Sequence, residues 1–189
     1  MTPPKIPALG YALLGMLQKP SSGYDLRKVF SSTSMKTYSD SPGAIYPALR
    51  RLERDGLIRG TVEEGSGLRR RQIFRLTPKG ISELKQWIAL PITREDVGSG
   101  LKILMLRFAF SETVMGAAAS IELLKSLQSA LTPYLQHLRE QLPMLKAAPM
   151  SARLSLECGI RSYEALSEWT HYALATYEKE GKRKSGGKS

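Results

Sequence analysis

The sequence predicts a mainly α-helical fold interrupted by one small β-hairpin, with a helical C-terminal half. Three observations predict it. Apolar residues recur at steps of three and four over most of the 189 residues. Two short alternating runs, 57–63 and 69–76, flank a glycine-containing tip at 64–68. A break at 91–100 separates this first part from a second, wholly helical pattern.

Ile6, Leu9, Leu13, Met16 and Leu17 share one helical face and predict a first helix over 7–18, stopped by Lys19-Pro20. Ser22 can cap a second helix, with Asp25 three residues on as a weak capping-box partner. Leu26, Val29 and Phe30 give that helix its apolar face, and the polar stretch 31–39 reads as a loop. Ser41 is an N-cap and Pro42 a first helical residue for a third helix running to Asp55. Ile45, Ala48, Leu49 and Leu52 face inward, and Gly56 supplies a left-handed stop. Pro47 removes a backbone bond inside that helix, so local distortion is expected. In the second strand Phe74 and Leu76 share one face, and Arg69, Arg71, Ile73 and Arg75 the other. Thr77-Pro78 opens a fourth helix carrying Ile81, Leu84, Trp87 and Ile88.

Residues 91–100 read as a linker. A short apolar helix at 101–110 follows. Then Ala117, Ile121, Leu124, Gln128, Leu131, Leu135, Leu138, Leu142 and Leu145 alternate steps of four and three, the seam of a helix packed on another helix. Pro133 and Pro143 are expected to kink or split it. A last helix over 150–177 carries Leu154, Ile160, Tyr163, Leu166, Trp169 and Tyr172. The predicted organisation is a domain at 1–90, a linker at 91–100, a helical dimerisation and effector-responsive domain at 101–180, and a disordered basic tail at 181–189.

Charge is unevenly spread. Residues 1–90 hold 15 Lys+Arg against 7 Asp+Glu, a balance of +8; residues 91–178 hold 8 against 9, and 179–189 hold 5 against 1. A basic front half points to a polyanion partner. The single cysteine, Cys158, builds neither an intramolecular disulfide nor a zinc site, and reads as a small buried residue in a reducing compartment. No run of 18 apolar residues and no leader pattern occurs, so the expectation is a cytoplasmic chain without a membrane partner. His137 and His171 lack metal-ligand spacing, Cys158 has no evident histidine partner, and Gly65-Ser66-Gly67 lacks the Gly-Lys-Ser/Thr ending of a phosphate loop. An enzyme is not expected, nor a metal or other cofactor.

Three helices, a hairpin and a fourth helix make the winged helix-turn-helix plan, whose third helix suits a major groove about 12 Å wide. Ser41, Gly43 and Ala44 are small enough to let backbone approach a duplex. Tyr46 and Arg50 lie three and seven residues beyond Gly43, on one face. Arg69, Arg70 and Arg71 stand at the hairpin base, suited to phosphates or a minor groove, and Arg51 adds charge beside Arg50.

Leu14-Gly15-Met16-Leu17, Gly23-Tyr24-Asp25-Leu26, the run from Ser41-Pro42-Gly43-Ala44 through Ile45-Tyr46-Pro47-Ala48-Leu49-Arg50-Arg51-Leu52-Glu53, Gly56-Leu57-Ile58 and Arg75-Leu76-Thr77-Pro78-Lys79-Gly80 resemble the PadR family of bacterial regulators. The resemblance covers nearly all of 8–85; the C-terminal half is similar in plan only. It implies a homodimeric repressor that leaves double-stranded operator DNA when a small-molecule effector binds. It implies that Tyr24 touches the DNA backbone, that Ser41, Gly43, Tyr46, Pro47 and Arg50 present the recognition helix, and that Arg69 and Arg70 act in the wing. Ser22 stands where the family often has His, Asp25 where it often has Glu, and Leu68-Arg69-Arg70 replaces the usual proline-containing wing tip.

The two-fold logic of operator recognition assigns the last helix to a dimer seam of Ile160, Tyr163, Leu166, Trp169 and Tyr172. No residue pattern identifies an effector site. The family resemblance would place one between the winged domain and the later helices, with Trp87 and Phe108 as candidate wall residues, though plain core packing is the better account of both. A second reading stays open, a winged-helix module that binds proteins and not specific DNA. Steep loss of DNA affinity with salt separates the two.

Overall fold

The structure, a computed structural model, describes residues 6–38, 42–64 and 70–186. It divides into two units, Met1–Ala89 and Leu90–Ser189.

In the first unit, α1 (Ala8–Met16) is buried from Gly10 to Gly15. The Tyr11 ring stacks on Trp87 with centroids 4.2 Å apart, and its hydroxyl donates to Glu83 Oε1 at 3.1 Å. Next come a two-residue strand β1 (Ser21–Ser22) and α2 (Gly23–Ser32). The predicted cap on α2 is present: Asp25 N donates to Ser22 Oγ at 3.1 Å, and Ser22 Oγ donates to Asp25 Oδ2 at 2.6 Å. Leu26 and Phe30 are buried one turn apart, but Val29 lies at the edge of that stripe and is 39% exposed, contrary to its expected inward place.

The expected loop at 31–39 is a second correction. α2 continues to Ser32 and a 3-10 helix spans Ser34–Tyr38. Ser31 and Ser32 hydroxyls donate to Lys28 O, and the Thr33 hydroxyl to Val29 O. The polar side chains thus satisfy helix carbonyls and do not end the helix at Phe30. The expected cap Ser41 lies outside the described residues.

Helix α3 (Pro42–Arg54) runs through Pro47, which is exposed. It closes as predicted at Gly56, whose φ is +73°. Leu57 N donates to Leu52 O at 2.9 Å and Gly56 N to Glu53 O at 3.0 Å, a Schellman pair. Strands β2 (Ile58–Glu64) and β3 (Arg70–Leu76) pair antiparallel with Gly60 opposite Phe74. β1 adds to the other edge of β3, with Ser21 opposite Phe74, giving the order β1-β3-β2. The hairpin tip, with Arg69, lies outside the described residues.

Helix α4 (Pro78–Ile88) is capped by Thr77, whose Oγ1 accepts from Gly80 N at 3.1 Å. Leu84, Trp87 and Ile88 are buried; Ile81, one turn earlier, is 38% exposed, against expectation. Gly80 is needed here because a Cβ would stand 2.0 Å from the Leu57 carbonyl oxygen.

In the second unit, the stretch read as a linker contains α5 (Arg94–Ser99). Thr93 and Asp96 form a capping box: Thr93 N donates to Asp96 Oδ2 at 2.8 Å and Asp96 N to Thr93 Oγ1 at 3.3 Å. Then follow α6 (Leu101–Met115), α7 (Ala117–Gln141), a 3-10 turn Leu142–Leu145 and α8 (Met150–Gly186). Gly116, at φ +89°, makes the reversal between α6 and α7. Pro133 does not split α7. It and Ser129, whose carbonyl loses its helix donor to the proline, both lie on the exposed face, where that loss costs least. Pro143 falls where α7 gives way to the 3-10 turn.

Val97, Leu104, Leu127 and Leu131 form the centre of this unit, with Tyr134, Tyr163, Leu166 and Trp169 packed around it. α8 reaches Gly186, into the stretch 181–189 read as disordered, helped by an ion pair of Arg183 with Glu180 at 3.3 Å. Cys158 is exposed, not buried, because it sits off the inward stripe that holds Ile160.

Candidate nucleic-acid interface

Helix α3 has two chemically opposite faces. Ile45, Leu49 and Leu52 are at most 2% exposed and anchor it to the unit. Gly43, Tyr46, Pro47, Arg50 and Arg51 are exposed on the other side, and Ala44 is half-buried between them. At 1.5 Å per residue, Gly43 and Arg50 stand about 10 Å apart along the axis, on one face two turns long. A chain of small group, aromatic ring and guanidinium is thereby held on a rigid helix.

The N-terminus of α2 is fixed beside this face. The Tyr46 ring lies over Gly23, where a Cβ would stand 2.7 Å from Cε1. Tyr24 follows at once and is 57% exposed, the largest apolar side chain that α2 offers outward. The Arg27 guanidinium carbon sits 5.7 Å from the Tyr24 ring centroid, a cation–π distance. Arg27 was not among the residues singled out from the sequence. Its signal is the three-residue step from Tyr24, which puts both on one helix face.

The strand arginines divide by partner. Arg75 is engaged: it pairs with Glu63 Oε1 at 2.7 Å and donates to Thr61 Oγ1 at 2.9 Å. Arg70 and Arg71 are exposed on β3 and, among the described residues, no carboxylate lies within ion-pair distance of either. Arg50 is likewise without one, whereas Arg51 stands 3.9 Å from Asp55, a weak surface pair at that distance. Of the described arginines on α3 and β3, Arg50, Arg70 and Arg71 are thus exposed without a carboxylate partner among the described residues.

The residues expected at a dimer seam are dispersed. Ile160 is buried, and Tyr163, Leu166 and Trp169 pack against this chain's own Val97–Leu131 cluster. The Tyr163 hydroxyl donates to Val97 O and Gly98 O, both at 3.2 Å. Tyr172 alone of the five is well exposed, at 70%. Trp87 is core of the first unit, while Phe108 meets Trp169 edge-on in the second, with centroids 5.4 Å apart. Among the described residues no group of His, Cys, Asp and Glu is arranged to hold a metal ion, and no helix is long and apolar enough to cross a membrane.

The family described as "Transcriptional regulator PadR-like family" matches residues 13–86. The negative transcriptional regulator PadR of Bacillus subtilis is 35% identical over 82 residues, which is 42% of this chain and 44% of that protein. A probable transcriptional regulator of Mycobacterium tuberculosis, Rv1176c, is 31% identical over 97 residues, 50% of this chain and 51% of that one. The chain thus spans about half the length of the curated relatives it matches. A crystal structure of B. subtilis PadR in complex with operator DNA aligns over 89% of this chain and 97% of that chain at 24% identity, with a TM-score of 0.42. The family match contains α2, α3 and the hairpin, the elements that carry Tyr24, Tyr46, Arg50 and Arg70, so it is residues 13–86 of this chain that are similar to the PadR-like family of transcriptional regulators.

Proposed function

We propose that this chain is a sequence-specific DNA-binding regulator that acts in the cytoplasm as a homodimeric repressor, and that it catalyses no reaction. The observation that carries the reading is the outward face of α3. Gly43, Tyr46 and Arg50 are exposed there, within the family match, on a helix anchored by Ile45, Leu49 and Leu52. The balance of +8 over residues 1–90 supplies the long-range attraction for a duplex. Repression is supported by the B. subtilis relative, a negative transcriptional regulator. Two copies suit a palindromic operator, and α8 offers Met150, Leu154 and Tyr172 as exposed apolar surface for the contact. A small-molecule effector that lowers DNA affinity completes the reading.

The test is equilibrium binding of the full chain to the DNA upstream of its own gene and to a scrambled duplex, over a salt series. Preference for the upstream fragment, with log affinity falling linearly in log salt, is the expected result. Equal, weak binding to both fragments at moderate salt would leave the protein-interaction reading in its place.

A further inference from the structure

The Gly60 N–H of β2 donates to Glu53 Oε1 of α3 at 2.7 Å. β2 is an outer strand of the sheet, and an outer strand leaves backbone groups without a ladder partner. Here a side chain of α3 takes up one of them. Glu53 follows Arg50 by three residues, so the two stand about one turn apart on that helix.

Gly60 makes the bond possible. A Cβ there would stand 2.8 Å from Glu53 Oε1 and closer still to Gln72 Nε2. Both atoms end flexible side chains, so a methyl group would push them aside and leave the backbone in place. The requirement at Gly60 is thus access of the carboxylate to the N–H.

Nearer its base the hairpin is held by other means. Ile58 and Phe74 are buried, Thr77 Oγ1 donates to Gly56 O at 2.7 Å, and Lys79 Nζ donates to Asp55 O at 2.7 Å. Beyond Gly60 it projects: Thr61, Val62 and Glu63 are exposed on β2, as are Arg70, Arg71 and Gln72 on β3. A two-stranded ribbon is marginally stable by itself, so its direction depends on what ties it to the body. We propose that Glu53 is a positioning residue that locks the projecting hairpin onto α3, so that Arg50 and the pair Arg70–Arg71 meet a duplex as one rigid frame. With the frame set in advance, the hairpin's phosphate contacts follow those of the helix without a fresh ordering cost. The DNA part of this assignment rests on the regulator reading above; the lock itself does not.

Two measurements on the full chain test it. The first is amide exchange by NMR without DNA. The Gly60 amide should exchange slowly in the parent and about tenfold faster or more in Glu53→Ala. Glu53→Gln, which keeps an acceptor oxygen at the same reach, should restore most of the protection. The second is binding to the upstream duplex over a salt series. Glu53→Ala should weaken it about tenfold and lower the salt slope by about 1–2, as the hairpin arginines lose their register. Gly60→Ala should do the same with the carboxylate still present and the melting temperature nearly unchanged, whereas Glu53→Gln should recover most of the affinity. Arg70→Ala added to Glu53→Ala should cost little more, although in the parent it costs its full factor. Equal exchange at Gly60 in the parent and Glu53→Ala, as large a loss from Glu53→Gln as from Glu53→Ala, or a full Arg70 effect in the Glu53→Ala background would each overturn the assignment. Failure of the parent to select its upstream DNA would remove the regulator reading, and the exchange rates would still decide whether Glu53 holds the hairpin.

Discussion

The Tyr46 ring of α3 rests on the bare Cα of Gly23 in α2, so close that a methyl group there would stand 2.7 Å from Cε1. Gly23 has ordinary helical backbone, since the positive-φ glycines are Gly56 and Gly116 among the described residues. Its need is for space and not for conformation. The contact sets the spacing between the start of the second helix, with Tyr24, and the exposed face of the third.

Gly23→Ala should therefore cost about 1–3 kcal/mol through overpacking, although alanine at a helix start is otherwise neutral or better. In a Tyr46→Ala background the same change should cost less than about 0.5 kcal/mol, because the clashing ring is gone. A double-mutant cycle by urea denaturation measures the coupling. Additive effects would mean that the two residues do not touch in solution.

Gly80→Ala should be the more damaging glycine change. At Gly80 the obstacle is the Leu57 carbonyl oxygen, 2.0 Å from the added Cβ, and backbone cannot swing aside as a ring can. Leu57 O also accepts from Thr77 N at 3.1 Å, so moving it disturbs the entry to α4. A loss of more than about 3 kcal/mol, or failure to fold at 37 °C, is expected. Thermal melting compares the two variants directly, and a Gly80→Ala protein as stable as Gly23→Ala would refute the ranking.

Local chemistry made much of this architecture legible. Ser22, Thr77 and Gly56 announce helix ends because capping is settled within four residues, and all three behave as read. The two-residue strand Ser21–Ser22 was not legible, since its partners Ile73 and Phe74 lie about fifty residues away and no periodicity fits two residues. The Thr93–Asp96 capping box was passed over because Pro91 and two nearby glycines dominate that stretch. The sharpest limit concerns α8. A stripe containing Ile160, Tyr163 and Trp169 looks the same whether it meets a second copy or its own chain; within the chain it meets Val97, Leu104, Leu127 and Leu131. On the candidate interface the sequence distinguished inward from outward residues on α3. It could not separate Arg75, held by Glu63, from Arg70 and Arg71, which pair with no carboxylate among the described residues.

That separation gives different expectations for different arginines. Arg50, on the helix face with Gly43 and Tyr46, should read bases, so Arg50→Ala should cost about 1–3 kcal/mol on the preferred site and little on scrambled DNA. Arg70, on the strand, should meet phosphate. Arg70→Ala should weaken all sequences alike and lower the salt slope by about 1. Arg75→Ala should change DNA affinity least and lose only an exposed ion pair, worth at most about 1 kcal/mol of stability. Fluorescence anisotropy on matched and scrambled duplexes tests all three, and a sequence-independent loss from Arg50→Ala would remove its base-reading role.

Tyr163 makes the second unit sensitive to alkali. Burial, reinforced by hydrogen bonding with Tyr134, pushes its pKa from 10.0 up to about 12. The phenol donates to Val97 O and Gly98 O and has its ring 4.8 Å from that of Tyr134. A phenol held neutral by the fold stabilises it fully below the unfolded value near pH 10, and that contribution is lost as pH rises toward 12. Tyr163→Phe should start about 1 kcal/mol less stable at pH 8, from the lost hydrogen bonds, and then fall less steeply than the parent between pH 10 and 12. Urea denaturation across that range measures both quantities. Parallel curves for parent and variant would show that the alkaline loss belongs to other groups, with Tyr177, also raised chiefly by burial, the next to replace.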